Sequence, residues 1–227
     1  MEHPRAYLQN EEMKITGKEN TMFVALIFGA ALLCFALNVA EGRGIEPGGG
    51  DDRLQKAVFA GGCFWCMQPA FDRLAGVIST AVGYTGGTVA NPVYEQVCAG
   101  RTGHVEAVEI VFDPALISFR ELIETFWRNI DPIQANGQFA DKGPQYRTVI
   151  FYQNEDQRLM AEASKLELEG SGRFAGRIAT SIEPAKPFYK AEEYHQEYYL
   201  KDPARYTLYK IGSGRASFLE KMWGKKN

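Results

Sequence analysis

The chain has 227 residues, 45% of them hydrophobic and 23% charged, which is enough to bury one sizeable core. Its net charge of −3 offers no basic surplus for nucleic acid or for an anionic membrane surface. Four cysteines are too few for a disulfide-stapled scaffold.

The first fifty residues stand apart from that core. Met22 to Leu37 runs without a polar side chain, with Lys14 and Lys18 before it and the small residues Val39 and Ala40 after it. This is the layout of an export signal, or of a signal kept as an anchor. It lies at the short end of the roughly 17–25 residues that span a bilayer. A buried core helix would need a polar face to meet water, and the run has none. Met13 offers a more usual short basic start than Met1. Leu33 before Cys34 is bulkier than a lipoprotein site favours. The chain therefore divides into a leader (1–21), an apolar signal or anchor (22–40), a flexible linker (41–53) with Pro47 and three successive glycines, and a folded domain (54–227). An exported domain is expected, periplasmic or in the cell envelope, held at the membrane if 22–40 is retained.

Lys56–Ala60 is a short apolar run that reads as a strand, and Met67–Leu74 has helical apolar spacing. Gly61 and Gly62 between them allow a tight turn. Cys63 follows, facing the positive end of the coming helix, which favours thiolate over thiol. Pro69 either falls in the first turn of a helix that begins near Gln68 or kinks one that begins at Phe64. Cys66 is close enough to close a disulfide once Cys63 is oxidised. Phe64 and Trp65 are placed to line an apolar pocket beside the sulfur. The same Cys-x-x-Cys could be half of a zinc site completed by Cys98 and His104, although their spacing suits one poorly.

Val77–Tyr84 reads as a second strand and Thr85–Arg101 as a long irregular segment of the kind that carries function. Val105–Phe112 alternates as a third strand and stops at Asp113-Pro114. Ser118 with Glu121 forms a capping box for a helix over 119–129. Arg147–Tyr152 is another strand, Asn154 opens a charged amphipathic helix ending at Gly170, and Ile178–Ile182 supplies a further strand. This order points to an α+β fold with helices laid against a mixed sheet in two layers.

Alternation along the third strand puts Glu106 with Val108 and Ile110, and Glu109 with Ala107 and Val111. Two glutamates on opposite faces of a half-buried strand cannot both be ordinary solvated residues. A buried carboxyl held neutral near pH 7 suits a proton donor. Tyr94 and Tyr146 carry phenolic donors, although tyrosine is common here (11) and more often packs than reacts.

Gly62-Cys63-Phe64-Trp65-Cys66 resembles the active-site signature of the A-type peptide methionine sulfoxide reductases. Gly83–Gly87, Asn91–Cys98, Thr102–Glu106, Asp141–Arg147 and Ala191–Gln196 resemble the family's further blocks in the family's order. The match covers about Lys56 to Pro203. It implies a two-layer α/β sandwich with a ferredoxin-like core, and reduction of the S epimer of methionine sulfoxide, free or in proteins. It also implies that Cys63 is the nucleophile, Glu106 the acid, and Tyr94 and Tyr146 the oxygen contacts. Phe64 and Trp65 would hold the S-methyl group, with Asp141 near the substrate's backbone amide and His195 near the substrate end. His104 reads as structural. The resemblance calls for no cofactor and no metal, a thioredoxin-like reductant and a monomer. One departure stands out. Many relatives resolve with a C-terminal cysteine, but none follows Cys98 here, so Cys66 is the close resolver and Cys98 the second candidate. Two other readings compete: a general thiol–disulfide oxidoreductase, which leaves Glu106 and the tyrosines idle, and a membrane-tethered zinc-binding module.

Overall fold

A computed structural model describes residues 53–224; the leader, the apolar segment 22–40 and all but the end of the linker lie outside the described residues. Strand β1 (Gln55–Gly61) sends Ala57 and Phe59 into the larger core and Val58 and Ala60 into a smaller one on the other face of the sheet. It is followed by α1 (Phe64–Phe71), β2 (Val77–Thr85), α2 (Tyr94–Cys98), β3 (Val105–Phe112) and α3 (Phe119–Trp127). A short hairpin, β4 (Gly137–Gln138) with β5 (Asp141–Lys142), leads to β6 (Thr148–Tyr152) and α4 (Glu155–Gly170). Then come β7 (Ser181–Pro184), β8 (Tyr189–Lys190), α5 (Tyr198–Lys201), α6 (Pro203–Gly212) and α7 (Arg215–Trp223).

The main sheet has the order β7-β6-β1-β3-β2-β8, antiparallel except for the β6–β7 pair. Within it, β1-α1-β2-β3-α3-β6 lie in the order β6-β1-β3-β2, a ferredoxin-like core. The expected two-layer α+β architecture with a mixed sheet is the one observed. Phe59 sits at its centre, opposite Val108 and Ile150 in register and stacked on Phe71, Phe119 and Phe126 at 5.5, 5.9 and 5.2 Å. Burial of one such ring contributes about 1.5–3 kcal/mol.

Local chemistry sets the helix starts. Ser118 Oγ accepts from the Glu121 amide (3.2 Å) while the Glu121 carboxylate accepts from the Ser118 amide (2.8 Å), the box expected from the sequence. Asn154 Oδ1 caps α4 through the Gln157 amide at 2.9 Å. Three boundaries differ from expectation. Helix α3 stops at Trp127, and the Asn129 side chain donates to the Thr125 carbonyl. The segment expected as a strand over 178–182 joins the sheet only from Ser181, because Ala179 donates to Pro132 O and Thr180 O accepts from Lys165. The irregular stretch 85–101 contains α2, whose first amides are held by the Gln96 side chain reaching back to Val93 N. His104 pins the rest of that stretch, accepting from Gly87 N at 3.1 Å and meeting Val89 O at 2.7 Å. Helices α5–α7 were not expected at all.

Candidate active site

The glycine pair at the end of β1 has a steric cause. Gly62 has φ +80°, and a Cβ there would lie 2.5 Å from Gln138 Cβ; a Cβ on Gly61 would lie 2.6 Å from Met67. The turn so allowed makes Cys63 the N-cap of α1, and the Cys66 amide donates to Cys63 O at 3.1 Å, so the sulfurs stand one turn apart. The helix therefore starts early, and Pro69 lies beyond its first turn; it removes the N–H that would bond the Trp65 carbonyl, and the helix ends at Phe71. Arg215, at the start of α7 and 2% exposed, donates to Gly61 O (2.9 Å) and Asn129 O (2.5 Å) with its guanidinium 4.6 Å from the Phe139 ring. It clamps the strand end that presents the cysteine.

Both sulfurs are buried, Cys63 6% and Cys66 4% exposed. Burial pushes the Cys63 thiol well above its ordinary value, with contact to Cys66 and the nearby Glu106 carboxyl acting in the same direction. The expectation that the helix end would favour a Cys63 thiolate thus fails. A short helix contributes about 0.3–1 kcal/mol to an adjacent charge, less than desolvation takes away. Cys66 is the more acidic of the pair, lowered to about 7 by its hydrogen bond with Cys63 and by Arg215 and Lys210, against the effect of burial.

Glu106, on the helix-covered face of β3 and 2% exposed, accepts from the Phe64 amide at 3.0 Å. Burial raises its carboxyl to about 8, the hydrogen bond from Phe64 offsetting part of that. Glu109, on the other face, pairs with Lys56 at 3.2 Å. The two glutamates of the strand are therefore unlike, as their alternation required.

An aromatic wall surrounds the first turn of α1. The Phe64 ring lies 5.0 Å from His195 and 6.0 Å from Tyr84; Trp65 stacks on Tyr198 at 3.8 Å and meets Tyr209 edge-on at 6.0 Å. Trp65 Nε1 donates to His195 Nδ1 at 3.0 Å, which puts the proton of the neutral ring on Nε2. That nitrogen is buried and has no hydrogen-bond partner among the described residues, 3.9 Å from Glu192 Oε2. Burial holds the ring below the ordinary histidine value. Glu192 also accepts from the Tyr84 hydroxyl and the Tyr94 amide, both at 2.9 Å, and so fixes where Tyr94 stands.

The Tyr94 and Tyr146 hydroxyls are raised by burial, and both feel the Glu106 carboxyl. Each is within hydrogen-bonding reach of the Cys98 thiol, and Gln145 Nε2 donates to Cys98 O at 3.2 Å. Asp141, on β5, accepts from the Tyr209 hydroxyl at 2.5 Å, and that hydroxyl also contacts Cys63. The nine residues singled out from the sequence, Cys63, Phe64, Trp65, Cys66, Tyr94, Glu106, Asp141, Tyr146 and His195, thus fall into one connected cluster, whereas His104 stands outside it with the 86–104 stretch. Tyr209, Glu192 and Arg215 also belong to the site; Tyr209 and Arg215 carry no motif, and Glu192 lies within the Ala191–Gln196 block with no chemical signature of its own. The alternative zinc set does not assemble: among the described residues no three of His, Cys, Asp or Glu are grouped as metal ligands.

The family model described as peptide methionine sulfoxide reductase matches residues 55–227. A peptide methionine sulfoxide reductase MsrA of Bacillus licheniformis is 53% identical over 176 residues, covering 78% of this chain and 97% of that protein. One of Ligilactobacillus salivarius is 57% identical over 167 residues, 74% of this chain and 96% of that protein. Among solved structures, Mxr1 of Saccharomyces cerevisiae in reduced form is similar with a TM-score of 0.63 at 33% identity, covering 68% of this chain and 89% of that one. Methionine sulfoxide reductase A of Corynebacterium diphtheriae gives 0.61 at 35% identity, covering 68% and 77%. With that family model matching 55–227 and relatives at 53% and 57% identity covered almost end to end, the chain is a member of the peptide methionine sulfoxide reductase family.

Proposed function

We propose that the chain reduces the S epimer of methionine sulfoxide, free or in proteins, to methionine, and so repairs oxidised proteins. The observation that carries this reading is Glu106: a buried carboxyl, protonated at pH 7, bonded to the amide next to Cys63. Sulfoxide oxygen leaves only if it receives protons, and here a proton source adjoins the nucleophile. The S-methyl group lies against Phe64 and Trp65, while Tyr94 and Tyr146 donate to the oxygen. Asp141 and His195 meet the substrate backbone.

As the Cys63 sulfur attacks the sulfoxide sulfur, Glu106 delivers a proton to the oxygen and takes up the one the thiol loses. Methionine leaves and Cys63 becomes a sulfenic acid. The Cys66 sulfur then bonds to Cys63, releasing the oxygen as water and leaving a disulfide. A dithiol of thioredoxin type restores both thiols and is itself oxidised by two electrons. Every group named comes from one chain, in keeping with a monomer. The domain is exported, to the periplasm or cell envelope, through 22–40, which is cleaved or kept as an anchor; its apolar run and basic flank support this.

Turnover of each sulfoxide epimer by wild type, Cys63→Ser and Cys66→Ser tests the chemistry. Cys63→Ser should release no methionine. Cys66→Ser should release about one per enzyme and then stall with thioredoxin; sustained thioredoxin-driven turnover would remove Cys66 from its role. Blotting membrane and soluble fractions for the mature size tests the placement of 22–40, and a wholly cytoplasmic full-length protein would overturn it.

A further inference from the structure

We infer that the reductant reaches the oxidised pair from the side of α1 away from the substrate pocket, through a cationic cavity between α1 and α6, and forms its mixed disulfide with Cys66. This rests on reading Cys63 as the nucleophile and Cys66 as its resolver. Cys66, Ala70 and Arg73 follow one another on one side of α1 and the turn after it, whereas Phe64, Met67 and Phe71 enter the core. Across from them stand Tyr206 and Lys210, one turn apart on α6. With Asn129 these residues enclose a cavity of about 320 Å³, and Cys66 is the sulfur in its wall.

Charge sorts the two approaches. The charged side chains of this cavity are Arg73 and Lys210, and an adjoining cavity of about 460 Å³ shares Asn129 and Lys210 while adding Arg128 and Glu220. The substrate side instead holds the neutral Glu106 carboxyl, Glu192 and Asp141, and Asp141 is felt at Cys66 as well. A reductant attacks as thiolate, an anion. Cations draw it toward Cys66, and the residues named on the substrate side offer it none. On that other side the Cys63 sulfur is also shielded by the Tyr209 hydroxyl.

The exchange balances without further reagents. The incoming sulfur bonds to Cys66 Sγ, the Cys63–Cys66 bond breaks with its electron pair on Cys63, and Cys63 takes up a proton. The second thiol of the reductant then bonds to the first, leaving an oxidised reductant and a reduced Cys66. Acidity of the leaving sulfur alone would expel Cys66 rather than Cys63; access and charge decide otherwise.

The test uses the full-length chain, oxidised with one equivalent of methionine sulfoxide after methionine release has been verified; absence of that release would count against the catalytic reading, not this one. Thioredoxin with its second active-site cysteine replaced by serine then traps the mixed disulfide, and peptide mass mapping locates it. Attachment at Cys66 is expected, and attachment at Cys63 overturns the inference. Small thiols give a second, variant-free measurement. At low salt, and at equal thiolate concentration, 3-mercaptopropionate should reduce the disulfide about tenfold faster than cysteamine, with 2-mercaptoethanol between them. The gap should close in Arg73→Glu and at high salt. Equal rates, or cysteamine the faster, overturn the cationic route.

Discussion

Replacing Glu106 by glutamine removes one proton and little else. The amide keeps an oxygen for the Phe64 N–H, now 3.0 Å from the carboxylate, and nearly the same volume in a site 2% exposed. A carboxyl raised to about 8 is protonated in about nine of ten molecules at pH 7. Glutamine can donate a hydrogen bond but cannot release the proton, so general-acid assistance should fall by about 100- to 10,000-fold. Rapid-quench measurement of methionine formed in a single turnover reads this directly. In wild type the rate should fall above pH about 8 as the carboxyl ionises, and Glu106→Gln should lose that limb. Stability gives an independent reading. The folded carboxyl binds more protons than the unfolded one between 4.5 and about 8, so stability is intact below that window and declines as pH rises through it. A displacement of that size corresponds to about 5 kcal/mol at most, and Glu106→Gln escapes it. The variant should therefore be slower yet, above pH 8, more stable than wild type in urea. A single-turnover rate within about threefold of wild type at pH 7 would refute the assignment of Glu106 as the acid.

Two further outcomes follow from groups outside the motifs. Arg215→Ala strands the carbonyls of Gly61 and Asn129, at about 3–5 kcal/mol, so its Tm should fall by about 10 °C; a melt by circular dichroism that matches wild type would remove Arg215 as the clamp. Tyr209→Phe loses the hydroxyl between Asp141 and Cys63 and should slow single-turnover methionine formation about tenfold with an unchanged melt, and an undiminished rate would make that hydroxyl a packing detail.

What could be read in advance divides along physical lines. The strands and α3 were legible because each alternates or repeats over enough residues to show a period, and Ser118 and Asn154 announce their helices by side-chain chemistry. Helix α2 has five residues, too few for a period. Helix α6 hides for another reason: Leu208 and Ile211 are 73% and 64% exposed while Tyr206 and Tyr209 turn inward, so its apolar residues mark the wrong face. Missing α6 and α7 meant missing Tyr209, Lys210 and Arg215. The catalytic cluster was legible because its members sit in short blocks with recognisable neighbours. The state of Cys63 was not, since its burial depends on helices that had not been seen.

Residues 61 and 215 meet through one guanidinium. A nascent chain holds the first of them long before it holds the second, so the turn that presents Cys63 lacks this clamp until α7 has been made. During synthesis the dithiol is therefore an ordinary pair of cysteines, and it acquires its special environment only as α7 docks.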